Sequence, residues 1–301
     1  MHLANHFLIG LDRTEFDKYL LNFVKKCGRV LPYQKLHFLH LADENDLSDQ
    51  KKRSKGESDE EINSELESEV ASKVYAEFPE QNKVEVEVTE GNPGKDLLKI
   101  SRTISPDYLI LGRKEPSGSL GVKPENFITN STCSTILVPA KEYCDLKKFH
   151  VAIDFSEISL MALKQAVDLS SKNDAELFVQ HVISIPPDFK RSGKSYEEYT
   201  KKQEEIFQNQ ANDFLKEANL SKEISIHFTF CRKGNTADCI ADFAREVGAD
   251  LLIIGSKGRT NAASVLLGSI AKKVAKRIKK IPLMVIKKKN ENLKLIDAIL
   301  A

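Results

Sequence analysis

The sequence lacks the features that mark membrane proteins, disulfide-stabilised proteins and strongly charged proteins. No apolar run approaches the roughly 20 residues of a transmembrane helix, and the short run 7–11 stops at Asp12, which makes it a poor secretory signal. The 5 cysteines are an odd set without a Cys-x2-Cys pair, which predicts reduced thiols and no zinc site. With Lys+Arg 45 against Asp+Glu 44, no net charge attracts nucleic acid or acidic lipid. We therefore expect a cytoplasmic protein that binds neither nucleic acid nor membranes.

The chain repeats itself, and its 301 residues suit two domains of about 150 residues each. The segment 91–112 contains Gly-Asn, an aspartate and Leu-Ile-Leu-Gly, and this pattern recurs as 234–255, 143 residues later. Segment 8–12 likewise recurs as 151–154. These matches predict a duplicated fold with a short polar linker at 140–148.

Each half alternates short, almost continuously apolar runs with helical patterns, as expected for parallel strands covered on both faces. In the second half the predicted strands are 150–154, 175–182, 224–231, 250–255 and 283–286. Right-handed crossovers then give an α/β fold of two doubly wound, five-stranded parallel sheets of the Rossmann-like kind. We predict domains at 1–143 and 144–301, packed as an intramolecular pseudo-dimer through their last strands and able to dimerise again.

Two segments lie outside the repeat. The charge-dense stretch 43–61 is expected to be a solvated loop, with a contact surface for a protein partner as the alternative. The segment 293–301 has apolar residues at helical spacing and is expected to form a short helix on the body of the protein.

The segment 254–270 carries the clearest functional pattern. It leaves the fourth strand of the second half with the spacing Gly-x2-Gly-x9-Gly-Ser, formed by Gly255, Gly258, Gly268 and Ser269. Glycines permit unusual backbone angles and close approaches, and a helix that begins near Ser269 offers free N–H groups to an anion. Ligands of such sheets bind at the carboxyl ends of the strands. The segment therefore predicts a cradle for a di- or triphosphate, with Lys257 and Arg259 available either to add positive charge or to point into solvent.

This spacing, the strand-ending Asp154 followed by Phe155-Ser156-Glu157, and the pair His181-Val182 together resemble the universal stress protein family. The resemblance covers the whole chain as a tandem pair and is stronger in the second half. It implies that the second domain binds ATP or another adenine nucleotide, with any Mg²⁺ or Mn²⁺ carried by the phosphates. It also implies that Asp154 contacts adenine or ribose and that Val182 lines the adenine pocket. The other implied binding residues are Ala152, Ile153, Ile254, Gly255, Gly258, Arg259, Gly268, Ser269 and Ile270.

Two of these positions have a plain structural alternative. Asp154 could be the N-cap of the next helix, with Glu157 completing a capping box, and this role is compatible with ligand binding. His181 is expected to be a buried, hydrogen-bonded histidine and not a catalytic base.

The first half departs from the glycine pattern. Asp12 matches Asp154 and Gly112 matches Gly255, but Glu115 stands where the second glycine is expected. A carboxylate in an anion cradle repels phosphate. We therefore predict that the first domain has lost ordinary ATP binding and has a structural or partner-binding role.

No enzyme signature accompanies these patterns: the chain has no GxxxxGK[ST] loop, no GxSxG elbow and no kinase motif set. We name no catalytic residue and no metal ligand. The leading interpretation is an adenine-nucleotide-binding regulatory protein with an unidentified protein partner. The alternatives are slow ATP hydrolysis or self-phosphorylation in the same pocket, and an interaction protein that binds no nucleotide.

Overall fold

The computed structural model describes residues 5–43, 59–113, 124–186, 188–189, 193, 195–220, 223–231, 235–259 and 266–290. The chain divides into unit 1, which is Met1–Asp145 together with Lys288–Ala301, and unit 2, which is Leu146–Lys287. The residues just after 287 belong to unit 1 because the Lys289 ammonium contacts Asp107 at 2.9 Å and the Asn290 N–H donates to the Thr132 carbonyl.

Unit 1 is a parallel sheet with helices in its connections. Its strands lie in the order β3-β2-β1-β4-β5, and each neighbouring pair is parallel. Its elements are β1 (His6–Leu11), α1 (Asp17–Val30), β2 (Lys35–Ala42), α2 (Asp59–Glu77), a 3-10 turn (Gln81–Lys83), β3 (Val84–Glu90), α3 (Asp96–Ile104), β4 (Tyr108–Arg113), α4 (Pro124–Asn130) and β5 (Ser134–Pro139).

Unit 2 repeats this topology. Its strands lie in the order β10-β9-β6-β7-β8, again with every neighbouring pair parallel. Its elements are β6 (Lys148–Ile153), α5 (Glu157–Asn173), β7 (Glu176–Ser184), α6 (Tyr196–Ala218), β8 (Ile226–Cys231), α7 (Thr236–Glu246), β9 (Leu251–Gly255), α8 (Ser269–Arg277) and β10 (Leu283–Ile286). The two repeated, doubly wound α/β sheets of the sequence prediction are therefore confirmed.

Burial explains why these segments form these elements. The central strand β9 is apolar and buried from Leu251 to Ile254, as a strand covered by helices on both faces must be. The helix α7 places the buried side chains Ala237, Ile240 and Ala244 on one stripe against the sheet. None of the helices in the described ranges is long and apolar enough to cross a bilayer.

Of the two segments outside the repeat, the structure describes only the two ends of 43–61 and none of 293–301. The helix α2 begins at Asp59, so the charged loop predicted over 43–61 ends before its predicted boundary. The helix α2 has a buried stripe of Leu66, Val70 and Val74, which lie beyond the charged stretch, and its first turn extends back into that stretch. The rest of that stretch from residue 44, and the predicted helix at 293–301, lie outside the described residues. The pseudo-dimer stays a prediction.

Candidate functional site

The strand order of unit 2 reverses between β6 and β9, so their carboxyl ends open into a common crevice. The two strands are direct neighbours, with Ala152 paired to Ile254. Asp154 follows β6, and the loop residues 256–259 follow β9. The topology thus brings the predicted carboxylate and the first two predicted glycines to the same place.

Gly258 and the Asp154 carboxylate approach each other closely. A Cβ atom on Gly258 would lie 2.5 Å from Asp154 Oδ2, so a side chain at this position would displace the carboxylate. The other carboxylate oxygen, Oδ1, accepts a hydrogen bond from the Ser156 N–H at 3.1 Å. One oxygen of Asp154 thus holds the start of α5, and the other lies against the loop.

The alternative role for Asp154 as an N-cap is wrong. The N-cap of α5 is Ser156, whose side chain accepts from the Ser159 N–H at 3.2 Å. The helix starts two residues later than a cap at Asp154 requires, because Phe155 has a left-handed φ of 63° that turns the chain before the helix begins. The capping box with Glu157 is wrong for the same reason.

Gly268 brings the start of α8 against the loop after β9. Its N–H donates to the Ser256 carbonyl at 2.8 Å, and a Cβ on it would lie 3.2 Å from that oxygen and 3.5 Å from Lys257 Cα. As the N-cap of α8, Gly268 is followed by Ser269 and Ile270, whose N–H groups have no acceptor within the helix. Both residues are exposed. The helix terminus therefore presents donors beside the loop.

The site glycines are needed for close approach and not for unusual backbone angles. Among the described residues, positive φ values at glycine occur only at Gly193 and Gly248. A Cβ on Gly255 would lie 3.0 Å from Ile158 Cγ2 and 3.3 Å from the Ser159 N atom. Of the two properties that glycine permits, Gly255 and Gly258 therefore use close approach and not a positive φ.

His181 is a buried histidine, as the sequence analysis predicts. Its Nδ1 lies 2.9 Å from the Ile153 carbonyl oxygen and must carry the proton, since a carbonyl only accepts. Its ring stacks on Phe155 with centroids 4.3 Å apart and lies 4.9 Å from the ring of Phe207. Burial is the main cause that lowers the pKa of His181, and the nearby Arg259 guanidinium lowers it further. The ring is neutral at neutral pH.

The two basic residues of the loop differ in exposure. Lys257 is buried, with 5% of its surface exposed, so it does not point into solvent. Arg259 is exposed, and its charge is close enough to affect His181. Val182, the predicted adenine contact, is half-buried and pairs with Thr229 across β7 and β8. Residues 260–265 of the loop lie outside the described ranges.

The corresponding place in unit 1 has a left-handed residue after its first strand, as unit 2 does, but different side chains. Arg13 follows Asp12 with a φ of 57°, close to the value at Phe155, and its guanidinium contacts Glu69 at 2.9 Å. The Asp17 carboxylate accepts from the N–H groups of Asp12 and Arg13. Burial, followed by the charge of Asp12, raises the pKa of Asp17 to about 7. A Cβ on Gly112 meets nothing within 4 Å, and Glu115 lies outside the described residues.

Sequence reasoning assigned no role to three residues of the unit 2 site, although Phe155 was part of the pattern that carries the resemblance. The left-handed Phe155 and the distant Phe207 of α6 form the aromatic contacts around His181. Ser256 is fully buried, and its Oγ has no hydrogen-bond partner among the described residues. The position of Ser256 inside the glycine pattern was the one available signal. Within the same part of the chain, no group of three or more His, Cys, Asp or Glu side chains is placed to hold a metal ion.

Comparisons with known proteins identify the family of the chain. The model of the Universal stress protein family matches residues 4–139 and again 146–287. The universal stress protein MJ0531 of Methanocaldococcus jannaschii is 31% identical over 145 residues, which are 47% of this chain and 82% of that protein. The match to a solved universal stress protein of Archaeoglobus fulgidus spans 96% of this chain and 99% of that chain. The two sequences are 20% identical, and the TM-score of the structures is 0.61.

A universal stress protein solved in complex with cAMP is 25% identical and matches 47% of this chain and 97% of its own, with a TM-score of 0.32. The double match of the family model spans both halves of the chain. The chain belongs to the universal stress protein family.

Proposed function

We propose that unit 2 binds one adenine nucleotide, with ATP as the ligand, in the crevice between β6 and β9, and that unit 1 binds none. The observation that carries this proposal is the convergence of Asp154, Gly258 and Gly268. Two glycines in that crevice stand where a Cβ would meet the carboxylate or the loop backbone. Because glycine has no Cβ, the backbone N–H groups at these positions can come close to a phosphate.

Each part of the crevice has a role in this proposal. The N–H groups of Ser269 and Ile270 and the positive end of the α8 dipole attract the phosphates. The exposed Arg259 adds a full positive charge near them. The Asp154 carboxylate accepts from ribose hydroxyls, as acidic residues at strand ends do in other nucleotide-binding sheets. The half-buried Val182 offers an apolar contact for the base.

In this proposal a metal ion is bound by the phosphates of the nucleotide and not by protein side chains. The described residues offer no cluster of metal ligands. Mg²⁺ commonly keeps several waters and binds through phosphate oxygens. A bound ion would therefore enter with the nucleotide.

Among its described residues, the end of β1 in unit 1 is less suitable for an anion than the unit 2 crevice. Its carboxylates Asp12 and Asp17 lie at the end of β1, and Arg13 is paired with Glu69. A phosphate would meet Asp12 there and, above the raised pKa of about 7, an ionised Asp17 as well. We propose that unit 1 has a structural or partner-binding role and that nucleotide occupancy of unit 2 regulates contacts with a partner.

The experiment is a thermal-shift titration of the full chain with ATP. A ligand that binds only the folded state stabilises it by about 2.7 kcal/mol at 100 times its Kd. This stabilisation raises the melting temperature by several degrees. The variant Gly268→Val places a side chain against the Ser256 carbonyl and the Lys257 backbone, so it removes the shift.

Gly112→Val is the matched control, because a Cβ at Gly112 has open space. This variant keeps the full ATP shift. Equal responses of the two variants, or no shift in the unaltered protein, would contradict the proposal. The melting temperatures without ATP show whether each variant is folded.

A further inference from the structure

The solvent side of α8 carries positive charge and no negative charge. Residues 269–280, which are α8 and the turn after it, contain six cations and no aspartate or glutamate. All six are exposed, and together they form what we call the basic face: Lys272, Lys273, Lys276, Arg277, Lys279 and Lys280. The opposite side of α8 is buried through Ala271, Val274 and Ala275. The apolar side thus holds the helix on the body, and the basic face is left to solvent.

The stability of the helix does not explain the basic face. The helix dipole favours cations near the C-terminus, which explains Lys276 and Arg277 in the last turn. Lys272 and Lys273 lie nearer the positive end, and each has a like charge four residues further on, which destabilises a helix. The corresponding helix of unit 1, α4, contains no lysine or arginine, so the fold does not require cations here.

Carboxylates of the same chain neutralise little of this charge. Arg277 pairs with Asp238 of α7 at 2.9 Å. Within the described ranges, no carboxylate forms an ion pair with four of the other cations: Lys272, Lys273, Lys276 and Lys280. These ammonium groups are therefore available to an anionic partner.

Acidic side chains on α7 limit the width of that partner. The helices α7 and α8 pack against each other. Asp238, Asp242 and Glu246 follow at intervals of four residues, so they line the side of α7 that forms the ion pair with α8. Arg245 offsets one of these charges, at Asp242. A broad polyanion such as duplex DNA would meet this acidic stripe, whereas a single peptide segment that lies along α8 would not.

We propose that the basic face of α8 binds an acidic segment of a protein partner, a stretch of chain rich in aspartate and glutamate. The carboxylates of the segment pair with the ammonium groups of the face. Ile270, which is 37% exposed in the first turn of α8, offers an apolar contact at one end. A lipid surface fits less well, because the apolar side of α8 that would enter it is buried. This surface gives the partner contacts of the proposed function a location, and its binding does not require a nucleotide.

The test is a fluorescence-anisotropy titration of the full-length protein, without nucleotide, against a short labelled peptide of glutamates with one leucine. We expect binding at low salt. The affinity should fall as the salt concentration rises from about 0.05 M to about 0.5 M, because salt screens the charges. The same peptide with glutamine in place of glutamate should not bind.

The variant Lys272→Glu/Lys273→Glu/Lys276→Glu reverses three charges of the basic face. It is expected to weaken binding of the glutamate peptide about tenfold or more, since each exposed ion pair that is lost is replaced by a repulsion. All three positions are exposed, so the variant is expected to fold, and its melting temperature checks this.

The matched control is Lys164→Glu/Lys201→Glu/Lys202→Glu, which makes the same change in net charge at exposed positions of α5 and α6 and keeps the affinity. Four results would overturn the proposal: no binding of the glutamate peptide at low salt, equal binding of the glutamine peptide, equal losses in the two variants, or binding of duplex DNA or anionic vesicles to the basic face that is tighter than peptide binding. ATP binding is measured separately, so failure of this proposal is distinguishable from failure of the proposed function.

Discussion

At the scale of single residues, the duplicated chain provides matched pairs of positions with different surroundings. Asp12 and Asp154 directly follow the first strand of each unit, and the next residue adopts a left-handed backbone in each. The side chain at that next position is Arg13 in unit 1 and Phe155 in unit 2. The backbone geometry is thus repeated while the chemistry of the crevice differs.

Gly255 and Gly112 give a direct test of close packing at equivalent positions. Gly255→Ala is expected to lower the free energy of unfolding by about 1–3 kcal/mol, because the new Cβ lies 3.0 Å from Ile158 Cγ2 and 3.3 Å from backbone atoms of α5. Gly112→Ala is expected to change it by less than about 0.5 kcal/mol, since nothing lies within 4 Å. Urea unfolding of both full-length variants measures the difference, and equal effects would contradict the packing account.

His150 is expected to make the protein less stable in mild acid. Burial is the main cause that lowers its pKa from 6.5 to about 4 in the folded state. The unfolded chain therefore takes up a proton between these values and the folded chain does not, so stability falls as the pH falls from about 6.5 to about 4. Between about pH 7 and about pH 5 the loss from this group is roughly 2 kcal/mol.

The variant His150→Gln isolates this contribution. The new amide can still donate to Gln180 Oε1, which His150 Nε2 contacts at 3.1 Å, but it does not titrate. Urea unfolding at both pH values should show a smaller loss in the variant than in the unaltered protein. Equal losses would show that His150 does not titrate as expected.

At the scale of elements, the strands were predictable because parallel strands in a covered sheet are continuously apolar. The helix patterns were predictable from their apolar stripes, such as the one on α7. The cap of α5 was not predictable, since the sequence Asp-Phe-Ser-Glu offers two capping residues. The left-handed Phe155 decides between them, and β-propensity or periodicity does not reveal such an angle.

The cap itself can be measured. Ser156→Ala removes the acceptor of the Ser159 N–H and is expected to lower the free energy of unfolding by about 1 kcal/mol. Ser171→Ala is the control on the same helix, where an exposed serine has no capping role, and its effect should stay within about 0.5 kcal/mol. Denaturant unfolding of the two variants checks this, and an equal cost for both would mean that Ser156 does not act as the cap.

At the scale of the whole molecule, the internal repeat was the strongest signal in the sequence. It indicated two α/β units, and the family model matches the same two halves. The location of the glycine pattern at a strand end could be predicted from spacing alone. The contacts of Phe207 and the burial of Lys257 could not, because they depend on how distant segments pack.

If only unit 2 binds ATP, a substitution in its glycine loop should remove all ATP binding by the chain. Gly258→Ala should abolish ATP binding, because the Cβ displaces the Asp154 carboxylate from the crevice. Calorimetric titration of this variant checks the assignment of the site to unit 2. Unchanged affinity would contradict it.

The most direct test of the central claim is the stoichiometry of ATP binding to the full-length protein, measured by isothermal titration calorimetry. The account predicts one ATP molecule per chain. Two molecules per chain, or no binding, would contradict it.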